Sequence, residues 1–336
     1  MNEPLLILIP VFNEWDLLGT LLARIDAALE EAGFTGEVVL IDDGSTVERE
    51  ERLQMPELAA VEGVEVLRLA RNLGHQRAIS IGMAWASENR SGRTVVVMDG
   101  DGEDNPADIA KLVACYDEEN GRKIVFAARA RRMERWQFQV CYRIYQLVHL
   151  LLTGYRVRVG NFSVVPSFAV QQLAVISETW NHYAAAVFNS RIPYAMVLIP
   201  RDRRIGGQSR MNFTALVVHG LSALSIFSHI IGVRLLIVSG VLMLAAVMGV
   251  VVGCVNVGGV QGGGNWMTGA SAWLLATLVQ AGVLGCAFVL LVLSGRQGTS
   301  FIPKRDYHYF VASVTKVGPR SCSCAAESAK MPAYVA

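Results

Sequence analysis

The chain has 336 residues, 52% of them hydrophobic, and its 30 basic side chains against 29 acidic ones leave a formal net charge of +1. That balance gives no electrostatic reason to expect a nucleic-acid partner. Six scattered cysteines, behind an amino terminus with neither a basic stretch nor a long apolar leader, predict no disulfide framework and no secretory signal.

In chain order, the first element is an apolar strand, Leu5 to Val11, running straight into Phe12, Asn13 and Glu14. Trp15 to Ala32 follows as a helix, with Leu17, Leu18, Leu21, Leu22, Ile25 and Leu29 at helical spacing. Val38 to Ile41 is a second apolar run and ends in Asp42, Asp43, Gly44 and Ser45. Ala78 to Ala86 is a weaker helical pattern. Val95 to Met98 is a third strand that stops abruptly in Asp99, Asp101, Glu103 and Asp104. Ile124 to Ala128 is a fourth, followed by Arg129, Arg131, Arg132 and Arg135.

Strands alternating with helices predict a parallel sheet covered on both faces, and such sheets bind ligands beyond the carboxyl ends of their strands. Those ends carry the acids. Carboxylate oxygens clustered there are hard ligands suited to Mg²⁺ or Mn²⁺; a plain Asp-Gly turn is the alternative reading, because both residues favour turns.

The second half changes character, for no Asp, Glu, Lys or Arg occurs between Arg234 and Arg296. Leu235 to Val255 would make a helix about 31 Å long, matched to a hydrocarbon layer of about 30 Å. Ala270 to Leu293 offers a second span, and Asn256 to Gly269 a glycine-rich connection. Arg234, Arg296, Lys304 and Arg305 flank the outer ends, which by the positive-inside rule puts both termini in the cytoplasm. A buried soluble hairpin is the alternative. Trp136 to Leu152 and Asn212 to Ser228 read as amphipathic, at the membrane surface or packed on the sheet. His149, His219 and His229 read as structural. The expected organisation is a catalytic domain over 1–212, an interfacial helix over 213–229, a transmembrane hairpin over 230–295 and a cytoplasmic tail over 296–336, loosely ordered after Lys316.

Taken together the motifs resemble the polyprenyl-phosphate glycosyltransferases of glycosyltransferase family 2, the group that includes dolichol-phosphate-mannose synthases. Pro10 to Glu14 (PVFNE) is similar to the family's P-V-Y-N-E, and Asp42 to Ser45 to its D-D-G-S. Arg71 to Ala78 is similar to R-N-x-G-K-x-x-A, Asp99 to Pro106 to D-A-D-L-Q-D-P-P, and Arg204 to Arg210 to R-x-x-G-x-S-K. His75 replaces the family's Lys, and Glu103 its Gln.

The resemblance implies a GT-A type nucleotide-binding sheet with flanking helices, followed by two transmembrane helices, and an inverting transfer of sugar from a nucleotide-diphosphate donor to a polyprenyl phosphate. Glu14, Asp42 and Asp43 can accept hydrogen bonds from base and ribose, Pro10 or Phe12 can pack on the base, and Asn13, Asn72 and Asp99 complete the expected donor site. Asp99, Asp101 and Glu103 are the expected ligands of Mg²⁺ or Mn²⁺. Asp101, Arg129 and Arg204 are the expected catalytic residues, with Arg129, Arg131, Ser209 and Arg210 on the acceptor phosphate, since paired guanidinium donors suit phosphate. Membrane lipid is an expected partner, nucleic acid is not, and a homo-oligomer stays open. Two rivals remain: a transferase of the same fold acting on another lipid or on a polysaccharide, and a non-catalytic scaffold subunit. The retained Asp99 and Asp101 argue against the second.

Overall fold

In the computed structural model, the structure describes residues 3–47, 52–129, 146–155, 159–200, 213–257, 265–296 and 301–318. Leu5–Val11 (β1) is buried at every position, which suits a strand with neighbours on both edges and helices on its faces. It pairs in parallel with Gly36–Asp42 (β2) on one side and Val95–Val97 (β4) on the other. Val61–Leu69 (β3) continues the parallel set beside β2. Ile124–Arg129 (β5) pairs in parallel with Tyr194–Ile199 (β7).

The sheet is mixed, which corrects the expectation of a purely parallel one. Val159–Val165 (β6) lies antiparallel between β4 and β5, and Val311–Lys316 (β8) lies antiparallel beside β3. The eight strands run in the order β7-β5-β6-β4-β1-β2-β3-β8. Since β6 opposes both β4 and β5, the strands β1 to β5 and β7 all point the same way. Their carboxyl ends share one edge, and the first residues of β6 arrive at that edge from the opposite direction. The segment 301–318, read from sequence as tail, instead supplies the outermost strand. Its backbone is tied in by Ala70 donating to Phe310 (2.8 Å) and Val317 donating to Val64 (2.7 Å).

Trp15–Ala32 (α1) matches its sequence-based limits. Trp15, Leu18, Leu21, Leu22, Ile25 and Leu29 form its buried stripe, each contributing about 1.5 to 3 kcal/mol by leaving water. Gly33 ends it with φ of 70°, a conformation in which a side chain would be strained. His75–Asn89 (α2) is longer than expected from sequence and almost wholly buried. Ile109–Glu118 (α3) packs in the same core as α1. A fourth helix (α4) is described over 146–153. Ser167–Leu173 (α5) and Tyr183–Ser190 (α6) follow β6.

Phe213–Ser225 (α7), Ser228–Val257 (α8) and Asn265–Arg296 (α9) are apolar helices of 13, 30 and 32 residues, and Pro303–Asp306 (α10) is a single turn. Among the described residues no single helix is long and apolar enough to cross a membrane, although one bent pair, Val217–Ser225 with Ser228–Val241, meets that test across an 87° bend. The foreseen spans fall inside α8 and α9, and their role passes to the proposal below.

The chain divides into two compact units. One comprises Met1–Trp136, Arg158–His219 and Thr299–Ala336; the other comprises Gln137–Val157 and Gly220–Gly298. In the second, Tyr155 stacks on Phe227 with ring centroids 5.1 Å apart. Arg234 donates to the Leu151 carbonyl at 2.7 Å, capping the end of α4.

Candidate active site

The carboxyl edge begins with Phe12, which is half-exposed where β1 ends. Asn13 turns the chain with φ of 55°, and its side chain reaches across to the loop after β2. Its Oδ1 accepts the Thr46 amide (2.9 Å) and the Val47 amide (3.2 Å), while its own backbone N–H donates to Ser45 Oγ (3.0 Å). Asn13 thus joins two strand ends. The other members of that segment differ: Pro10 is buried within β1 opposite Ile41, so its ring does not face solvent, and Glu14 starts α1.

Asp42 ends β2, Asp43 follows it, and both are buried. Asp42 Oδ1 accepts the Ser45 amide three residues on at 2.8 Å, fixing the turn after β2, and Arg68 lies 3.8 Å from its other oxygen. Asp43 accepts Leu73 N–H on Oδ1 (2.7 Å) and Gly74 N–H on Oδ2 (2.8 Å). Burial pushes the Asp43 carboxyl above its ordinary value, against the lowering pull of those two amides. Gly44 between these turns has φ of 66°, and a Cβ there would sit 2.5 Å from the Arg71 carbonyl carbon. Only glycine lets the two loops meet. Asp43 therefore pins the loop that carries exposed Asn72 and introduces α2.

Two of the acids after β4 accept amides of their own loop. Asp104 Oδ2 accepts the Asp99 amide (3.1 Å) and Asp101 Oδ1 accepts the Glu103 amide (3.0 Å). Among the described residues no group of three His, Cys, Asp or Glu side chains is arranged to hold a metal ion. Two carboxylates still fit Mg²⁺ or Mn²⁺, which commonly take one or two from protein and the rest from water and substrate phosphates. Beside them a shallow pocket is lined by Glu103, Asn105, Ala127, Gly160, Phe162 and Ile199.

Sequence reasoning missed Asn161. β4 and β6 pair with Val97 opposite Ser163, and continuing that antiparallel register by two residues puts Asn161 opposite Asp99. The Asn161 amide donates to Asp99 Oδ1 at 3.0 Å. The clue in sequence was only a polar residue opening an apolar run, NFSVV, which does not reveal its partner strand. His219, read as structural, lies beside His182 and His75, with ring centroids 4.7 and 5.7 Å apart. Buried His149 has its pKa lowered chiefly by burial, and its Nδ1 lies 3.0 Å from the Tyr155 carbonyl.

Arg129 is the last residue of β5, its backbone opposite Ile199. Arg131, Arg204, Ser209 and Arg210 lie outside the described residues.

Residues 6–183, more than half of the chain, match the glycosyl transferase family 2 profile. Over 231 residues the chain is 27% identical to an uncharacterised glycosyltransferase of Synechocystis sp., covering 68% of this chain and 70% of that protein. Over 130 residues it is 37% identical to the undecaprenyl-phosphate 4-deoxy-4-formamido-L-arabinose transferase of Klebsiella pneumoniae, covering 38% of this chain and 37% of that relative. The chain thus spans little more than a third of that relative's length. Among solved structures, glucosyl-3-phosphoglycerate synthase from Mycobacterium tuberculosis, in complex with Mn²⁺ and uridine-diphosphate-glucose, is 14% identical with a TM-score of 0.48, covering 69% of this chain and 80% of that one. The matched residues take in β1 to β6 and the acidic edge they build, on a GT-A-like α/β nucleotide-binding sheet, and the chain belongs to glycosyl transferase family 2 as a glycosyltransferase.

Proposed function

We propose that the protein transfers a sugar from a nucleotide-diphosphate donor to a polyprenyl phosphate at the cytoplasmic face of a membrane. The observation that carries this reading is the gathering of Phe12, Asp42, Asp43, Asp99 and Asp101 along one sheet edge of a family 2 glycosyltransferase. The undecaprenyl-phosphate acceptor named for the Klebsiella relative supports the lipid class. Base and ribose sit over the β1 and β2 ends, beside exposed Phe12, where Asp42 and Glu14 accept their hydrogens. Asp43 and Asn13 act one step back, holding the loops in register. Asp99 and Asp101 hold Mg²⁺ or Mn²⁺, which when bound offsets the negative charge that grows on the leaving diphosphate. The acceptor phosphate is already ionised at neutral pH, so the site requires no strong base. Arg129, Arg131, Ser209 and Arg210 receive that phosphate, with Arg204 close to the donor diphosphate.

The membrane part of the reading rests on where apolar surface lies. Val233, Ile237, Val241 and Leu244 on α8, and Trp273, Leu278, Leu284 and Leu291 on α9, are exposed; patches of that kind mark a membrane or a partner surface. The chain leaves its first unit at α7 and returns to it at α10 and β8. Two crossings in opposite directions satisfy that connectivity and keep both ends on one side.

Purified protein incubated with a panel of nucleotide sugars, Mg²⁺ or Mn²⁺ and undecaprenyl phosphate should give a glycosyl phosphoryl polyprenol by mass spectrometry. Absence of that product with every donor, alongside transfer to diacylglycerol or a saccharide, would replace the acceptor. For topology, a membrane-impermeant thiol reagent on intact cells should reach a cysteine introduced at Gln261 and miss those at Asp43 and Lys304. The reverse pattern would remove the catalytic unit from the compartment that holds nucleotide sugars.

A further inference from the structure

Two uncharged side chains, Gln76 and Asn161, form a hydrogen-bonded chain that ends on Asp99. Its direction follows from its first member. The backbone N–H of Tyr183 opens α6, where no carbonyl of the same helix can accept it, and it donates to Gln76 Oε1 at 2.6 Å. That fixes which end of the amide is which. Gln76 Nε2 then faces Asn161 Oδ1 at 3.0 Å and His75 Nε2 at 2.8 Å. An amide nitrogen only donates, so both contacts run outward from Gln76 Nε2. Asn161 Oδ1 is taken by Gln76, and its Nδ2 is turned to Asp99 Oδ1 at 3.0 Å. Both amides are buried, at 7% and 6% exposure, where leaving a polar group unpaired is costly. Each orientation therefore enforces the next.

We propose that Gln76 and Asn161 are positioning residues for the nucleotide-sugar site: they commit Asp99 Oδ1 to Asn161 and so hold the carboxylate with Oδ2 as its ligand atom for the divalent cation. This rests on Asp99 and Asp101 binding that cation, as proposed above. Groups that orient a metal ligand in this way typically affect metal affinity about 10- to 100-fold when removed.

The test is Mn²⁺ binding to the purified protein without substrate, followed by the electron paramagnetic resonance signal of free Mn²⁺. Thermal melts run alongside report folding. Gln76→Glu keeps the side chain's shape and still accepts the Tyr183 amide, but it cannot donate to Asn161 Oδ1. The Asn161 amide then turns over and presents oxygen to Asp99. Asn161→Ala removes the last link outright. Each variant should weaken Mn²⁺ binding by about 10-fold or more, and the double variant should be no weaker than Asn161→Ala alone, because the two residues act through one chain. Wild-type Mn²⁺ affinity in folded Gln76→Glu, or independent losses that multiply in the double variant, would overturn the relay. Asp101→Asn separates the two levels of inference. If it binds Mn²⁺ like the wild type, the cation reading itself fails; if it loses Mn²⁺ while both relay variants keep it, only the relay fails.

Discussion

The sheet unit and the long helices treat the same kind of residue in opposite ways. In β1, α1 and β2 most leucines, isoleucines and valines point inward, and the acids Asp42, Asp43, Asp99 and Asp101 follow the carboxyl ends of the strands. On α8 and α9 many of the large apolar side chains point outward. A sequence rich in Leu and Val predicts burial in both places, and the difference is in what does the burying. The sheet hides its apolar surface in its own core, whereas the helices leave much of theirs exposed.

The sharpest way to break that comparison is to shave one leucine from each region. Leu21 is fully buried on α1 and Leu244 is 64% exposed on α8. Leu21→Ala should cost about 2 to 5 kcal/mol of stability through lost burial and a residual cavity. In detergent, Leu244→Ala should stay within about 0.5 kcal/mol, as for other exposed positions. Chemical denaturation of each variant measures both, and a large loss at Leu244 would mean that the helix face is covered by protein.

Within the sheet unit the comparison is between side chains that build the edge and side chains that act from it. Asp101→Asn should lower turnover by at least ~100-fold while the melting temperature stays close to wild type. Undiminished activity in excess chelator would remove the cation from the reaction. Arg210→Ala should raise the KM for polyprenyl phosphate more than that for the nucleotide sugar, as removal of one charged hydrogen-bond partner costs about 1.5 to 3 kcal/mol. Steady-state kinetics with each substrate varied in turn decides it. A change confined to the donor would move the acceptor phosphate to Arg129 and Arg131.

The smallest expected effect concerns Asp43, an edge-building residue. Burial raises its carboxyl above the ordinary 3.8, so over the window from that value up to the raised one the folded chain holds a proton that the unfolded chain releases. Stability from this group therefore falls as pH rises through the window and is level above it. Urea unfolding at a series of pH values should show a steeper decline over that range in the wild type than in Asp43→Asn, which cannot titrate. Parallel curves would mean that the two loop amides fully compensate the burial.

Much of this architecture was legible in sequence, for a local reason. A strand buried on both faces is an unbroken apolar run, so β1, β2, β4 and β5 were visible, and α1 showed its stripe at a period of 3.6 residues. The motifs at the strand ends were equally visible because each is contiguous. β8 was not, because its exposed, alternating VASVTK pairs with β3 about 250 residues earlier. Nothing local marks such a partner.

By itself the sequence determined that this is a family 2 glycosyltransferase with acids at its strand ends and a long interval without charge. Only the tertiary structure decided that β6 runs backward into the middle of the sheet, setting Asn161 opposite Asp99, that Asp43 and Asn13 are committed to loop amides, and that Asp101 Oδ1 accepts the Glu103 amide. The physical reason is common to all three. Residue type and spacing along the chain fix what a side chain can donate or accept, whereas strand register and loop closure fix which partner it meets.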